Sequence, residues 1–223
     1  MWDLPVRLMH WALAFAVLGS WLTQELEGDW FKYHVWCGYA VLLIVSTRIV
    51  WGLVGTRHAR FASFVRGPGA IVGYVRSLFS SRSERTTGHN PLGALMIVAF
   101  LGLLLAQAVT GLFANDQIFN TGPLFGYITG SLSDRLTTIH KQLFDVLTGA
   151  IALHVLAVLA HWWLKQENLI WPMFTGRKRA ADVPPGAEIS GSRTWLAAVI
   201  VAVFGALLAW LVRTAPPGGL FMF

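Results

Sequence analysis

Four histidines, His10, His34, His140 and His154, stand in apolar stretches, where an ionisable side chain is costly and is usually kept for function. His140 and His154 lie fourteen residues apart. On a helix that spacing is about 21 Å of rise and nearly four whole turns, so both imidazoles face one way at two depths. His10 lies fourteen residues before Gln24, at the far end of the first apolar stretch, and His34 opens the second. Depth therefore matches His34 with His140 and His10 with His154. Imidazole suits iron, and bundle interiors are common cofactor sites. Two imidazoles facing each other across a flat space can fill both axial positions of a haem. The pattern predicts two b-type haems, one near each face of a membrane, and a path for electrons between them. A single histidine in an apolar helix is often only hydrogen-bonded to its neighbour; four matched in depth and face are what favour ligation.

Further residues could complete such sites. Arg48 is fourteen residues after His34, hence on the same helix face at the depth of the His10–His154 pair. Arg7 is one turn before His10. Both could hold haem propionates, or both could snorkel to headgroups. Gly38, one turn from His34, and Gly149, between His140 and His154, would let a macrocycle approach the backbone, although glycine also serves simple helix packing in membranes. His161 reads as an interfacial residue beside Trp162 and Trp163. His58 and His89 flank a basic loop and could serve a quinone or simply be solvated. Cys37 is the lone cysteine and reads as a small packing residue, so neither a disulfide nor covalent haem attachment is available.

The elements that must position these groups follow from composition. The chain has 223 residues, 55% hydrophobic and only 13% charged, which fits a polytopic membrane protein and not a soluble domain. Five stretches can cross about 30 Å of hydrocarbon. They run from Leu8 to Thr23, Val35 to Val54, Pro91 to Ala114, Gln142 to Leu164 and Trp195 to Val212. The first lacks a small-residue cleavage site and is expected to stay in the protein. The loops after the second and fourth stretches hold eleven basic residues against four on the other side, which places those loops and the N-terminus in the cytoplasm and the C-terminus in the periplasm. The net charge of +6 is thus a topology signal and asks for no nucleic-acid partner.

Asn90 before Pro91 is a cap followed by a ring whose missing N–H is harmless at a helix start. Asp134 is the expected start of the fourth helix. Ile71, Tyr74, Val75, Leu78 and Phe79 fall at helical spacing near Arg76 and Arg82, as in a short helix lying on the membrane surface. Ser80–Gly88 is polar. Residues 177–194, with Pro184-Pro185-Gly186, read as a cytoplasmic connector. The expected protein is all-α and integral to the membrane. Residues 1–176 form a four-helix di-haem core, and 195–223 supply a fifth membrane helix that carries no polar handle and faces lipid.

The chain resembles the bacterial cytochrome b561 family, which is related to the cytochrome b subunits of nickel–iron hydrogenases. The resemblance is carried by Trp2-Asp3-Leu4-Pro5 with His10-Trp11, by His34 with Gly38-Tyr39, and by Arg48 with Trp51-Gly52. It is also carried by Gly55-Thr56-Arg57-His58-Ala59-Arg60-Phe61, Gly88-His89-Asn90-Pro91-Leu92-Gly93, Thr110-Gly111-Leu112-Phe113 and the His140-to-His154 spacing. It spans about residues 2 to 176. It implies a di-haem core in a bacterial inner membrane that exchanges electrons between quinone and a redox partner, such as a periplasmic c-type cytochrome or a metalloenzyme. The acidic turn Glu25–Asp29 could guide a basic partner. Some relatives with this core oxidise superoxide instead, for which Lys32, Arg135 and Lys141 are the candidate cations here. A role with haem or metal as cargo is a third reading, and ligands buried at two depths count against release.

Overall fold

A computed structural model describes residues 2–26, 28–78, 90–118, 120–164, 166, 168–177, 189 and 191–216. Phe79, the Ser80–Gly88 stretch, His89, Lys165 and the Pro184-Pro185-Gly186 connector lie outside them. Among the described residues there are eight α-helices and no strand: α1 Leu4–Glu25, α2 Phe31–Val54, α3 Phe61–Phe64, α4 Pro68–Leu78, α5 Pro91–Leu112, α6 Gly130–Leu164, α7 Ile170–Thr175 and α8 Thr194–Arg213. Five of them (α1, α2 with the turn before it, α5, α6 and α8) are long and apolar enough to cross a membrane. The side on which α1 begins is called proximal below, the other distal.

The caps fix where these helices start. The Asp3 carboxylate accepts the Val6 backbone N–H at 2.8 Å, and the Asn90 side chain accepts that of Gly93 at 2.7 Å. The fourth crossing helix departs from expectation. It starts at Gly130 rather than Asp134 and runs for 35 residues, about 52 Å at helical rise, well beyond a hydrocarbon core of about 30 Å. Its polar first turns are held by the loop that precedes it. Ser133 Oγ donates to the Phe113 carbonyl at 2.6 Å, and Thr137 Oγ accepts the Asn115 N–H at 2.9 Å. Leu132, Leu136 and Ile139 keep the helical spacing through these turns, and the tertiary bonds secure the polar residues between them.

α1 packs along α2, α2 along α5, and α5 along α6, whereas α6 stands off from α1 and α2. Ala16, Val41, Val45, Leu101, Leu104, Ala108 and Leu147 form the main buried cluster across these four helices. Lipid is as apolar as these side chains, so close packing rather than exclusion of water holds them together. α8 joins from outside, with Ala197 packed on Trp51 and Ala59 at the proximal end of α2. Its apolar stretch has no polar handle, as expected, but both its ends are tied. The Leu4 N–H donates to Ser192 Oγ at 3.2 Å, and Tyr127 Oη donates to the Thr214 carbonyl at 3.2 Å.

One glycine governs how the chain leaves α2. A Cβ built on Gly52 would lie 2.1 Å from Cε2 of Phe61. Only glycine there lets the Phe61 ring fold back against α2 and bring the Thr56–Ala59 turn over the helix end.

Candidate functional site

The distal histidines face each other from α2 and α6, with ring centroids 6.3 Å apart. Each is oriented by a backbone carbonyl of a neighbouring helix. His34 Nδ1 donates to the Ser20 carbonyl of α1 at 2.9 Å, and His140 Nδ1 donates to the Gln107 carbonyl of α5 at 2.9 Å. A carbonyl can only accept, so the proton sits on Nδ1 and Nε2 carries the lone pair, the tautomer in which a histidine ligates a metal. In this structure the His140 Nε2 lone pair accepts from the Gln107 side-chain amide at 3.2 Å, a bond that a metal would replace. Thr110 Oγ1 is 3.2 Å from His140 Nδ1. Gly111 completes the cradle: a Cβ built there would lie 2.9 Å from His140 Cε1, so any larger residue displaces the ring.

The proximal pair joins α1 to α6. His10 and His154 have ring centroids 6.5 Å apart. The edge of Trp11 meets His10, and Phe100 meets His154 edge-on at 5.7 Å. Here no carbonyl plays the orienting part for His10. Its Nδ1 is buried and lacks a hydrogen-bond partner among the described residues.

Both separations can be tested against haem. Metal–imidazole bonds are about 2.0–2.1 Å, and two of them with a ring radius on each side give roughly 6 Å between centroids. The different ring tilts, 81° distally and 56° proximally, are no obstacle, because each imidazole can rotate about its own metal–nitrogen bond. Among the described residues no group of three or more His, Cys, Asp or Glu could hold a bare ion. Two-histidine sites suit a metal that brings its other ligands in a macrocycle. α6 packs against α5, and the two histidine pairs are where it meets α2 and α1. A Cβ on Gly38 or Gly149 would meet nothing within 4 Å among the described residues, so neither glycine is required by protein packing.

Arg48 is only 8% exposed. Its Nη2 donates to the Ala59 carbonyl at 3.2 Å, and its guanidinium lies 5.2 Å over the Phe61 ring. Its Nη1 is buried with no partner among the described residues. Asp3, 2% exposed, is the anion whose field reaches Arg48. Asp3 Oδ2 accepts Trp51 Nε1–H at 3.0 Å and Thr56 Oγ1–H at 2.5 Å. In the sequence Asp3 stands out only within the Trp2-Asp3-Leu4-Pro5 motif, and it is the fold-back at Gly52 that brings Thr56 to it.

Arg7 has different company. Its Nη1 donates to the Phe174 carbonyl near the end of α7, while Nε is buried and unpartnered among the described residues. Trp11 helps by stacking on Phe174 at 4.4 Å and donating to the Met173 carbonyl at 3.3 Å. α1 therefore holds the short helix that follows α6. His161 Nδ1 bonds within its own helix, to the Ala157 carbonyl at 2.9 Å, and its Nε2 is buried without a partner among the described residues. His58 is half-buried at the proximal end. Residues missed in the sequence are Ser20, Gln107, Thr110 and Gly111 around the distal pair, and Asp3, Trp51 and Thr56 around Arg48. Several fall in the motifs that carry the family resemblance, which was their one visible signal.

Comparison with known proteins gives the family. Residues 1–176 match the family described as prokaryotic cytochrome b561. The probable Ni/Fe-hydrogenase B-type cytochrome subunit of Rhodobacter capsulatus is 24% identical, with 82% of each chain covered. The protein of the same description from Bradyrhizobium diazoefficiens is 22% identical over 82% of this chain and 86% of its own. That from Azotobacter vinelandii is 24% identical over 83% of this chain and 90% of its own. No solved structure matches the chain. With five crossing helices and a family match over most of its length, the chain belongs to the prokaryotic cytochrome b561 family and is a multi-pass membrane cytochrome of b type that serves electron transfer.

Proposed function

We propose that this protein carries electrons through two b-type haems, one held by His34 and His140 and the other by His10 and His154, between the quinone pool and a periplasmic redox partner. The observation that carries the reading is the two facing pairs, 6.3 and 6.5 Å apart, at opposite depths of one bundle. When bound, haem supplies a one-electron iron couple at each level. The four histidines would hold the two haems, and two imidazoles on each iron would leave it no place for oxygen or substrate. The carbonyls of Ser20 and Gln107 fix the distal tautomers. The unpartnered Nη1 of Arg48 suits a propionate at the proximal level, because a buried guanidinium needs an anion or acceptor for each donor. Arg7 is the weaker candidate, since its Nη1 already serves Phe174.

On this reading residues 1–176 are the haem core, 177–194 a cytoplasmic connector and 195–223 a fifth membrane helix with an external tail. The excess of basic residues makes the proximal side cytoplasmic and the distal side periplasmic in a bacterial inner membrane. The partner is a metalloenzyme or a c-type cytochrome; the hydrogenase descriptions of the relatives support an enzyme. A superoxide-oxidising role is less well supported. Lys141 lines a distal cavity of about 230 Å³, but Asp116 and Asp134 line the same cavity and oppose an anion.

Purified protein should hold two haems per chain, show b-type bis-histidine spectra and be reduced by quinol. One haem per chain, or reduction by superoxide faster than by quinol, overturns the proposal. A reporter inserted near Pro185 should face the cytoplasm, and one fused after Phe223 the periplasm.

A further inference from the structure

The buried network around Asp3 contains more than a helix cap needs. A cap requires one accepted backbone bond, which Val6 supplies to Oδ1. Oδ2 takes two further donors from the other end of the chain's first hairpin, Trp51 Nε1 and Thr56 Oγ1. The same turn that brings Thr56 to Asp3 brings the Ala59 carbonyl to Arg48; the Ala59 N–H bonds the Thr56 carbonyl at 3.0 Å and closes it. Trp51 sits one turn after Arg48 on α2. Asp3 and Arg48 are therefore two charges buried in one small polar cluster, tied through one turn and one helix face. Three donors, the Val6 N–H, Trp51 Nε1 and Thr56 Oγ1, converge on the Asp3 side chain. Arg48 stays charged in any protein environment. A buried cation with no anion nearby is strongly unfavourable.

We propose that Asp3 is a positioning residue for the proximal haem: its carboxylate is the fixed counter-charge that holds Arg48 in place and offsets its positive field, and so sets the midpoint potential at the His10–His154 level. This rests on the proposed proximal haem and on Arg48 lying beside it. The physical basis is Coulombic. A positive charge near haem favours the state with the extra electron, and a negative charge disfavours it; both act strongly where water is excluded. The two residues pull in opposite directions. Removing Arg48 lowers the proximal potential, and removing the charge of Asp3 raises it. Removing both brings the potential back towards its starting value. A residue that only propped up the helix would not show that cancellation.

The test is redox titration of the two haem components in the full-length, haem-loaded protein, with haem per chain measured in parallel. The variants are Arg48→Leu, Asp3→Asn, Asp3→Glu and the pair Asp3→Asn with Arg48→Leu, analysed as a double-mutant cycle. The expected pattern is a downward shift for Arg48→Leu, an upward shift for Asp3→Asn, near wild type for Asp3→Glu and partial or full return in the double variant. All shifts are confined to the proximal component. If Arg48→Leu moves neither component, the placement of Arg48 beside the proximal haem fails. If it moves the proximal component but Asp3→Asn leaves that component unchanged or lowers it, the placement stands and the role of Asp3 is wrong. Asp3→Asn costs one strong acceptor and could release the proximal haem. Then the double variant decides: recovery of that haem upholds the counter-charge, and continued loss assigns Asp3 a purely structural part.

Discussion

The two ends of the bundle hold similar histidine pairs by different means. At the distal end the support is neutral. Carbonyls of Ser20 and Gln107 accept the Nδ1 protons, and Gly111 leaves room for the His140 ring. At the proximal end the support is charged. His10 Nδ1 has no partner among the described residues, while Asp3 and Arg48 are buried together near the start of α1 and the end of α2. A hydrogen bond at Nδ1 makes imidazole a better donor to metal and favours the oxidised ion. A buried cation favours the reduced one. The Asp3 carboxylate opposes that cation, so the difference at Nδ1 is what gives the proximal haem the higher expected potential, with electrons that enter distally running downhill towards it. Geometry repeats across the molecule; electrostatics does not.

The most severe way to break the comparison is to delete a ligand. His140→Ala or His34→Ala should remove the distal haem and leave the proximal one, taking haem per chain from two to one and abolishing one titrating component. Loss of the proximal component instead would show that the pairs are crossed. Gly111→Val should come next. Its side chain collides with the His140 ring, so most of the distal haem should be lost or misligated, with a changed low-spin resonance in electron paramagnetic spectra and an unchanged proximal signal. An intact distal signal would mean the cradle yields.

Gentler changes sharpen the contrast. Trp51→Phe withdraws one donor from a buried carboxylate and should cost about 1–3 kcal/mol. It should appear as earlier thermal loss of the proximal haem than of the distal one. Equal loss of both would mean that the cluster supports the whole bundle rather than one end. Thr110→Val should do least, because the Gln107 carbonyl still accepts from His140 Nδ1; roughly 1 kcal/mol or less is expected. It should be read as a small shift of the distal potential alone, and a shift as large as that of Gly111→Val would show that the hydroxyl, not the carbonyl, orients the ring.

Much of this was legible in the chain itself. The helical repeat alone put His140 and His154 on one face, and depth alone matched them with His34 and His10. Apolar runs long enough to span lipid marked the crossing helices, and Asn90-Pro91 marked a start to the residue. What escaped was tertiary. The supporting carbonyls are invisible in a sequence because every residue has one. Asp3 stands out only within the Trp2-Asp3-Leu4-Pro5 motif until Phe61 folds over Gly52 and brings Thr56 to it. The turns of α6 before Gln142 are rich in Ser, Thr and charge, and their bonds to the Phe113–Asn115 loop are not visible in the sequence. Arg7 was placed with Arg48 by register on its own helix, but the carbonyl end of α7, a helix with no strong periodicity, claimed it first.

A last consequence follows from α6. It contributes one histidine to each facing pair, whereas α1 and α2 contribute one each from separate helices. On the di-haem reading proposed above, the interval an electron would have to tunnel is thus written into a single unbroken rod, and tilting of the other helices would loosen a ligand without resetting that interval. Such a gauge tolerates changes of residue type between its marks but not of residue number. One amino acid inserted between His140 and His154 would turn the lower mark by about 100°, sending its imidazole away from His10 and cutting the circuit while every original side chain remained.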